Sequence, residues 1–149
     1  MKQICLAATI VLAFSGLSSA ASLKLKDLPA AVQKTVNETL KGGEIKSIGK
    51  EVEKGVTQFE VETMLNGKHR DFNVDAKGKL LVVEEEIDLA SVPPAAKAAI
   101  EKKVAGGKLG TVESVDKGDG AILYEAAYTT KAGKKGSILV KADGSETKD

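Results

Sequence analysis

The chain has 149 residues, of which 42% are hydrophobic and only 3% aromatic, with a single cysteine and no tryptophan. Its 22 basic and 21 acidic side chains nearly cancel, so it lacks the basic excess that a nucleic-acid partner would demand. A length of this order makes one domain, or two small halves of one. In chain order, Lys2 opens a basic start and Ile4 to Leu17 form an apolar run, followed by the small residues Ser18, Ser19 and Ala20. That pattern predicts a cleaved signal peptide over residues 1–20, cut near Ala20, and a periplasmic or secreted product. The apolar run is short for a bilayer span and no second one follows, so no membrane span is expected in the mature chain. Cys5 lies inside the signal, and the exported domain therefore owes nothing to disulfides.

Past a short lead, Asp27 is expected to cap a helix with Pro29 in its first turn. Leu28, Val32, Val36 and Leu40 recur every four residues and form one apolar stripe. Gly42 and Gly43 then supply a left-handed stop. A first strand is predicted over residues 45–52. Next, Phe59-Glu60-Val61-Glu62 and Asp71-Phe72-Asn73-Val74-Asp75 alternate apolar and polar residues, the period of a half-buried strand. Asn66-Gly67 between them suits a type I′ hairpin. Ala76-Lys77-Gly78 makes the next turn, and a fourth strand ends near Ile87.

The pattern then starts again. Ser91 is expected to cap, Pro93 and Pro94 to occupy the first turn, and Val92, Ala96, Ile100 and Val104 to form the stripe. Gly106-Gly107 follows as Gly42-Gly43 did, Tyr124-Glu125-Ala126 answers Phe59-Glu60-Val61, and Ala142-Asp143-Gly144 answers Ala76-Lys77-Gly78. We read this as an internal duplication, with a first repeat over 21–90 and a second over 91–149. The expected fold class is α+β: two tandem helix-plus-antiparallel-meander repeats forming one compact unit. Both helices are expected on one face of the sheet, sharing a continuous apolar layer, and the other face open. The second repeat ends soon after Gly144 without a full fourth strand, so its third strand, or a stub beyond it, is expected to be a sheet edge.

Leu28-Pro29-Ala30-Ala31-Val32, Phe59-Glu60-Val61-Glu62, Asn66-Gly67 and the run from Asp71 to Leu80 together resemble the PepSY-like family. More narrowly, they are similar to exported proteins described as β-lactamase-inhibitor-like and PepSY-like. The resemblance covers nearly the whole mature chain. It implies an α+β repeat placed outside the cytoplasm, without catalytic residues. PepSY relatives occur in propeptides that restrain secreted peptidases, and β-lactamase inhibitors of similar shape grip an enzyme on a sheet face. The second repeat departs from the pattern, with Lys141 where the first has Asp75.

Motifs for chemistry are sparse. Asp71-x-Asn73-x-Asp75 begins like a calcium loop, but Ala76 and Val82 stand where the sixth-place glycine and twelfth-place glutamate belong. Strand alternation explains the spacing, and neither a metal nor another cofactor is expected. His69, the one histidine, sits beside a turn with no partner pattern for a triad or a zinc site. Glu84-Glu85-Glu86 reads as a solvated strand end. There remains the open sheet face, expected to carry Glu60, Glu62, Met64, Asp71, Asn73 and Asp75 in the first repeat. The second should add Leu123, Glu125, Ala127, Ser137, Leu139 and Lys141, with Leu123 and Leu139 as an exposed apolar patch flanked by charge. The leading expectation is a non-catalytic module that docks a protein partner there and restrains a peptidase or other envelope enzyme. The alternative is a small-ligand or cation-responsive envelope protein using the acidic half-sheet. The pattern names neither the partner nor an oligomeric state.

Overall fold

The computed structural model describes residues 23–53 and 55–148; the expected signal peptide and its cleavage site lie outside them. A single-turn 3₁₀ helix (Leu25–Asp27) leads into α1 (Ala30–Thr39), then β1 (Glu44–Glu53), β2 (Val56–Leu65), β3 (Lys68–Asp75) and β4 (Leu80–Glu86). A second 3₁₀ turn (Leu89–Ser91) leads into α2 (Pro94–Val104), then β5 (Lys108–Asp116), β6 (Ile122–Thr129), β7 (Lys135–Lys141) and β8 (Glu146–Thr147). The eight strands form one antiparallel sheet in chain order, so every strand is hydrogen-bonded to its sequence neighbour. The class is α+β.

The helices start later than the capping pattern suggested. Asp27 and Ser91 each close a 3₁₀ turn instead of capping α1 and α2. A residue before proline is pushed out of the helical region, and Leu28 and Val92 are accordingly extended, with ψ of 159° and 137°. The helices therefore begin after Pro29 and Pro93. Their carbonyls accept the first helical N–H groups, from Gln33 at 3.0 Å and Lys97 at 2.9 Å. The stripes hold: Leu28, Val32 and Val36 are buried in the first half, and Val92, Ala96 and Ile100 in the second. At the β2–β3 hairpin Asn66 and Gly67 both have positive φ, 54° and 80°, as a type I′ turn requires.

Burial is divided. Val32 and Val36 of α1 pack with Ile48, Phe59, Val61, Phe72 and Val74. Ala96 and Ile100 of α2 pack with Val112, Ala126, Ile138 and Val140. By strand alternation and the β4–β5 register these strand residues share one side of the sheet. The expected continuous layer is nevertheless two clusters with no residue in common. The reason lies at the β4–β5 junction. Its four opposed pairs are Val83 with Asp116, Glu84 with Val115, Glu85 with Ser114, and Glu86 with Glu113. On the helix side that leaves Asp116, Glu85 and Ser114 in the gap between the cores.

Arg70 closes the first cluster. It is buried, its Nη1 donates to the Thr39 carbonyl at the end of α1 (2.7 Å), and its Nε lies 3.6 Å from Glu85 Oε2. A cation there satisfies an orphan helix carbonyl and meets the negative end of the helix dipole. In the second half the short β8, two residues long, pairs with Leu139 and Val140 of β7.

Two turn glycines meet the helix starts in matching fashion. A Cβ on Gly78 would stand 2.7 Å from the Ala31 carbonyl oxygen, and one on Gly144 2.6 Å from that of Ala95. Both also have positive φ, 87° and 84°, where a side chain is strained. Gly144→Ala should therefore cost about 2 kcal/mol or more in urea denaturation. A loss below about 0.5 kcal/mol would show that the β7–β8 turn is not pinned to α2.

Candidate functional site

On the sheet side turned away from the helices, alternation places Gln58, Glu60, Glu62 and Met64 of β2 with His69, Asp71, Asn73 and Asp75 of β3. Val82, Glu84 and Glu86 of β4 follow, then Glu113 and Val115 of β5. Leu123, Glu125 and Ala127 of β6 and Ser137, Leu139 and Lys141 of β7 complete the face. All ten residues singled out for binding thus lie on one surface.

At the β1 end, local hydrogen bonds hold the polar groups. Ser47 Oγ donates to Glu62 Oε2 (2.5 Å), and Gln58 Nε2 donates to Glu51 Oε1 (2.7 Å) and Glu53 Oε2 (3.1 Å). Asn73 Nδ2 lies 3.4 Å from the same Glu51 oxygen. Asp71 Oδ1 accepts the Thr63 N–H at 2.8 Å, and Asp75 Oδ1 accepts those of Lys77 and Lys79, each at 2.8 Å. The polar members of the calcium-like run are therefore engaged by their own backbone and neighbours. Among the described residues no group of three or more His, Cys, Asp or Glu side chains is placed to hold a metal.

The centre of the face differs. Asp71 stands directly opposite Glu84, Glu86 opposite Glu113, and Glu113 opposite Glu125. Like charges facing each other across strands are unfavourable. The face is also close-packed: Val115 is 4% exposed and Glu125 only 9%, although among the described residues no helix covers them. Burial pushes the Glu84 carboxyl up to about 7, with Glu113, Glu125, Asp71 and Glu60 adding to it in that order. Burial likewise raises Glu113, followed by the charges of Glu125, Asp71 and Glu86. Glu60 is raised by burial, then by Glu51, Glu62 and Asp71. Asp71 is raised by burial, against the opposing hydrogen bond from Thr63 and the charge of His69. Each shift has one origin: carboxylates lose water and gain like neighbours.

Two expectations need correction. Glu84 and Glu86 are not a solvated strand end; both are half-buried at the middle of the sheet, because β5 pairs along the far side of β4. Leu123 and Leu139 are half-buried, not an exposed patch, because Glu125, Lys141 and Val115 crowd them. The exposed large apolar side chains are instead Val52, Val56, Leu80 and Ile122, at the ends of strands β1, β2, β4 and β6. Glu113 and Val115 were missed. The signal available was the alternation of Glu113 and Val115 with Val112 and Ser114, but the strand that they face could not be read from it.

A separate shallow cavity of about 240 Å³ lies at the end of α2, lined by Leu89, Ile100, Val104, Gly107 and Leu109 among others. It is smaller than the usual ligand pocket and lies apart from the carboxylate row.

No family profile matches the chain, and no curated protein matches it. Solved structures do. A DUF2874 family protein from Bacteroides uniformis superposes with a TM-score of 0.66 at 16% identity, over 80% of this chain and 86% of the other. A protein from Bacteroides eggerthii, provisionally described as periplasmic, gives 0.67 at 15%, over 81% and 86%. A BLIP-like protein from Bacteroides fragilis gives 0.61 at 15%, over 80% and 83%. At such identities the likeness concerns architecture, and this chain shares the fold of these three proteins.

Proposed function

We propose that this chain is an exported, non-catalytic binding module that holds a partner protein against the carboxylate-rich side of its sheet, restraining an envelope peptidase or another enzyme by covering it. The observation that carries this reading is the row Glu60, Asp71, Glu84 and Glu113, four carboxyls raised by burial on a surface that neither α1 nor α2 covers. Lysine or arginine from a partner would relieve that crowding, and half-buried Val82, Leu123 and Leu139 offer apolar ground beside it. The BLIP-like and provisionally periplasmic neighbours support the same direction, although a shared fold does not transfer an activity by itself.

The reading includes the processing and history inferred from the sequence: a signal over 1–20 cleaved near Ala20, then PepSY-like copies over 21–90 and 91–149. The recurring element order, the proline at each helix start and the matched approaches of Gly78 and Gly144 support two copies of one module.

The test is a capture from envelope extract using wild type, Leu139→Asp and a Glu60→Lys/Glu62→Lys pair. Wild type should retain a basic protein that both variants lose and that raised salt releases. Identical capture by all three would place the docking surface elsewhere and sink the proposal.

A further inference from the structure

The β4–β5 junction is the one place where the two halves of the sheet are joined, and its composition is unusual. Of the eight residues in its four opposed pairs, Glu84, Glu85, Glu86, Glu113 and Asp116 are acidic, Ser114 is polar, and only Val83 and Val115 are apolar. Neither apolar cluster crosses it. Further support comes from the Ile87 N–H donating to the Val112 carbonyl at 2.9 Å, and from Ser114 Oγ, 3.4 Å from the Glu85 carbonyl oxygen. The junction's four opposed positions compare with five between β3 and β4, seven between β6 and β7 and nine between β1 and β2.

We propose that this seam is a pH-sensitive hinge: the half-sheets are held together while Glu84 and Glu113 are protonated, and loosen about the β4–β5 line once both are ionised. Two features of the geometry place the hinge here. The halves have separate cores, so each can keep its packing while the angle between them changes. The seam also opposes Glu86 to Glu113 across strands, with Glu84 on the same face, so ionisation acts on it directly.

The groups facing Glu84 are Asp71 and His69 from β3, Glu60 from β2, Glu86 from β4 itself, Glu113 from β5, Glu125 from β6 and Lys141 from β7. Of these only His69 and Lys141 are basic, and both lie on the exposed margin. On the helix side, Arg70 Nε lies 3.6 Å from Glu85 Oε2, and Asp116 Oδ1 accepts the Gly118 N–H at 2.8 Å. The sensitivity thus resides in the face carrying Glu84, Glu86 and Glu113. Burial and these neighbours raise Glu84 to about 7 and Glu113 in the same direction, which sets the change near neutrality.

The test is amide hydrogen exchange, corrected for intrinsic rates, on the mature chain from residue 21 at several values between about pH 5 and pH 8. Protection at residues 83–86 and 113–116 should fall by about tenfold or more relative to Val61 and Ala126 as pH rises. Glu84→Gln and Glu113→Gln should each flatten that dependence while leaving Val61 and Ala126 unchanged at low pH. Seam protection that tracks the two interior residues at every pH would overturn the hinge, since the loss would then be global. A slope unaltered in both variants would overturn the role of the carboxyls.

Discussion

The free energy of unfolding should fall as pH is raised from about 4.5 to about 8, by about 3 kcal/mol from Glu84 alone. The sign follows from which state holds the proton. In the unfolded chain Glu84 ionises near 4.5, whereas in the folded protein it does so near 7. Below 4.5 both states carry the proton and the group is neutral in effect. Between the two values the folded state binds more protons than the unfolded one, so each step up in pH costs stability. Above 7 the loss is complete and constant. Glu60, Asp71 and Glu113 are raised as well and act in the same direction. Asp143, lowered by its hydrogen bonds from Ser145, acts the other way but is fully exposed. Urea denaturation across this range should therefore find greatest stability on the acid side of neutrality. Glu84→Gln should recover most of the loss at about pH 8 and leave stability near pH 4.5 little changed. Equal stability at the two extremes, or an undiminished slope in the variant, would show that the row does not bear this strain.

Phe72→Ala should lower stability by about 3 to 5 kcal/mol. Phe72 has no exposed surface and sits in the cluster formed by α1 with β1, β2 and β3. Truncation removes its transfer energy and leaves a hole that Val61 and Val74, stiff at Cβ, cannot fill. The same cluster holds Arg70, whose guanidinium is tied to Thr39 and Glu85, so collapse into the space is resisted from that side too. Since the second cluster shares no residue with the first, milder substitutions should add across them. Phe72→Leu and Ile100→Val combined should equal their sum to within about 0.5 kcal/mol. Coupling well above that would mean that the two cores are one, and would count against a hinge between them.

Particular residues show how far the chain could be read without coordinates. Asn66-Gly67 named its turn because positive φ at both centres is a local demand. The stripes of Val32 and Val36, and of Ala96 and Ile100, named the buried helix faces because a period of nearly four residues has one geometric solution. The outward set from Glu60 to Asp75 followed from a period of two. The caps failed at Asp27 and Ser91 because the proline that follows acts on its predecessor's backbone, an effect stronger than capping preference at that distance. The apolar patch at Leu123 and Leu139 failed because exposure depends on what neighbouring strands bring, and Glu125 and Val115 were packed against it.

By itself, then, the order of residues determined the class of fold, the repeated succession of elements and which side of β2, β3, β6 and β7 faces the helices, all matters of local periodicity and turn chemistry. Only the tertiary structure decided that β4 lies against β5, that two cores form instead of one, and that Glu84 meets Asp71 and Glu113 on a crowded face. Those outcomes depend on pairing between segments some thirty residues apart. No alternation within either strand specifies its partner, and the charge of one glutamate acquires its consequence only from the carboxylates that the fold sets beside it.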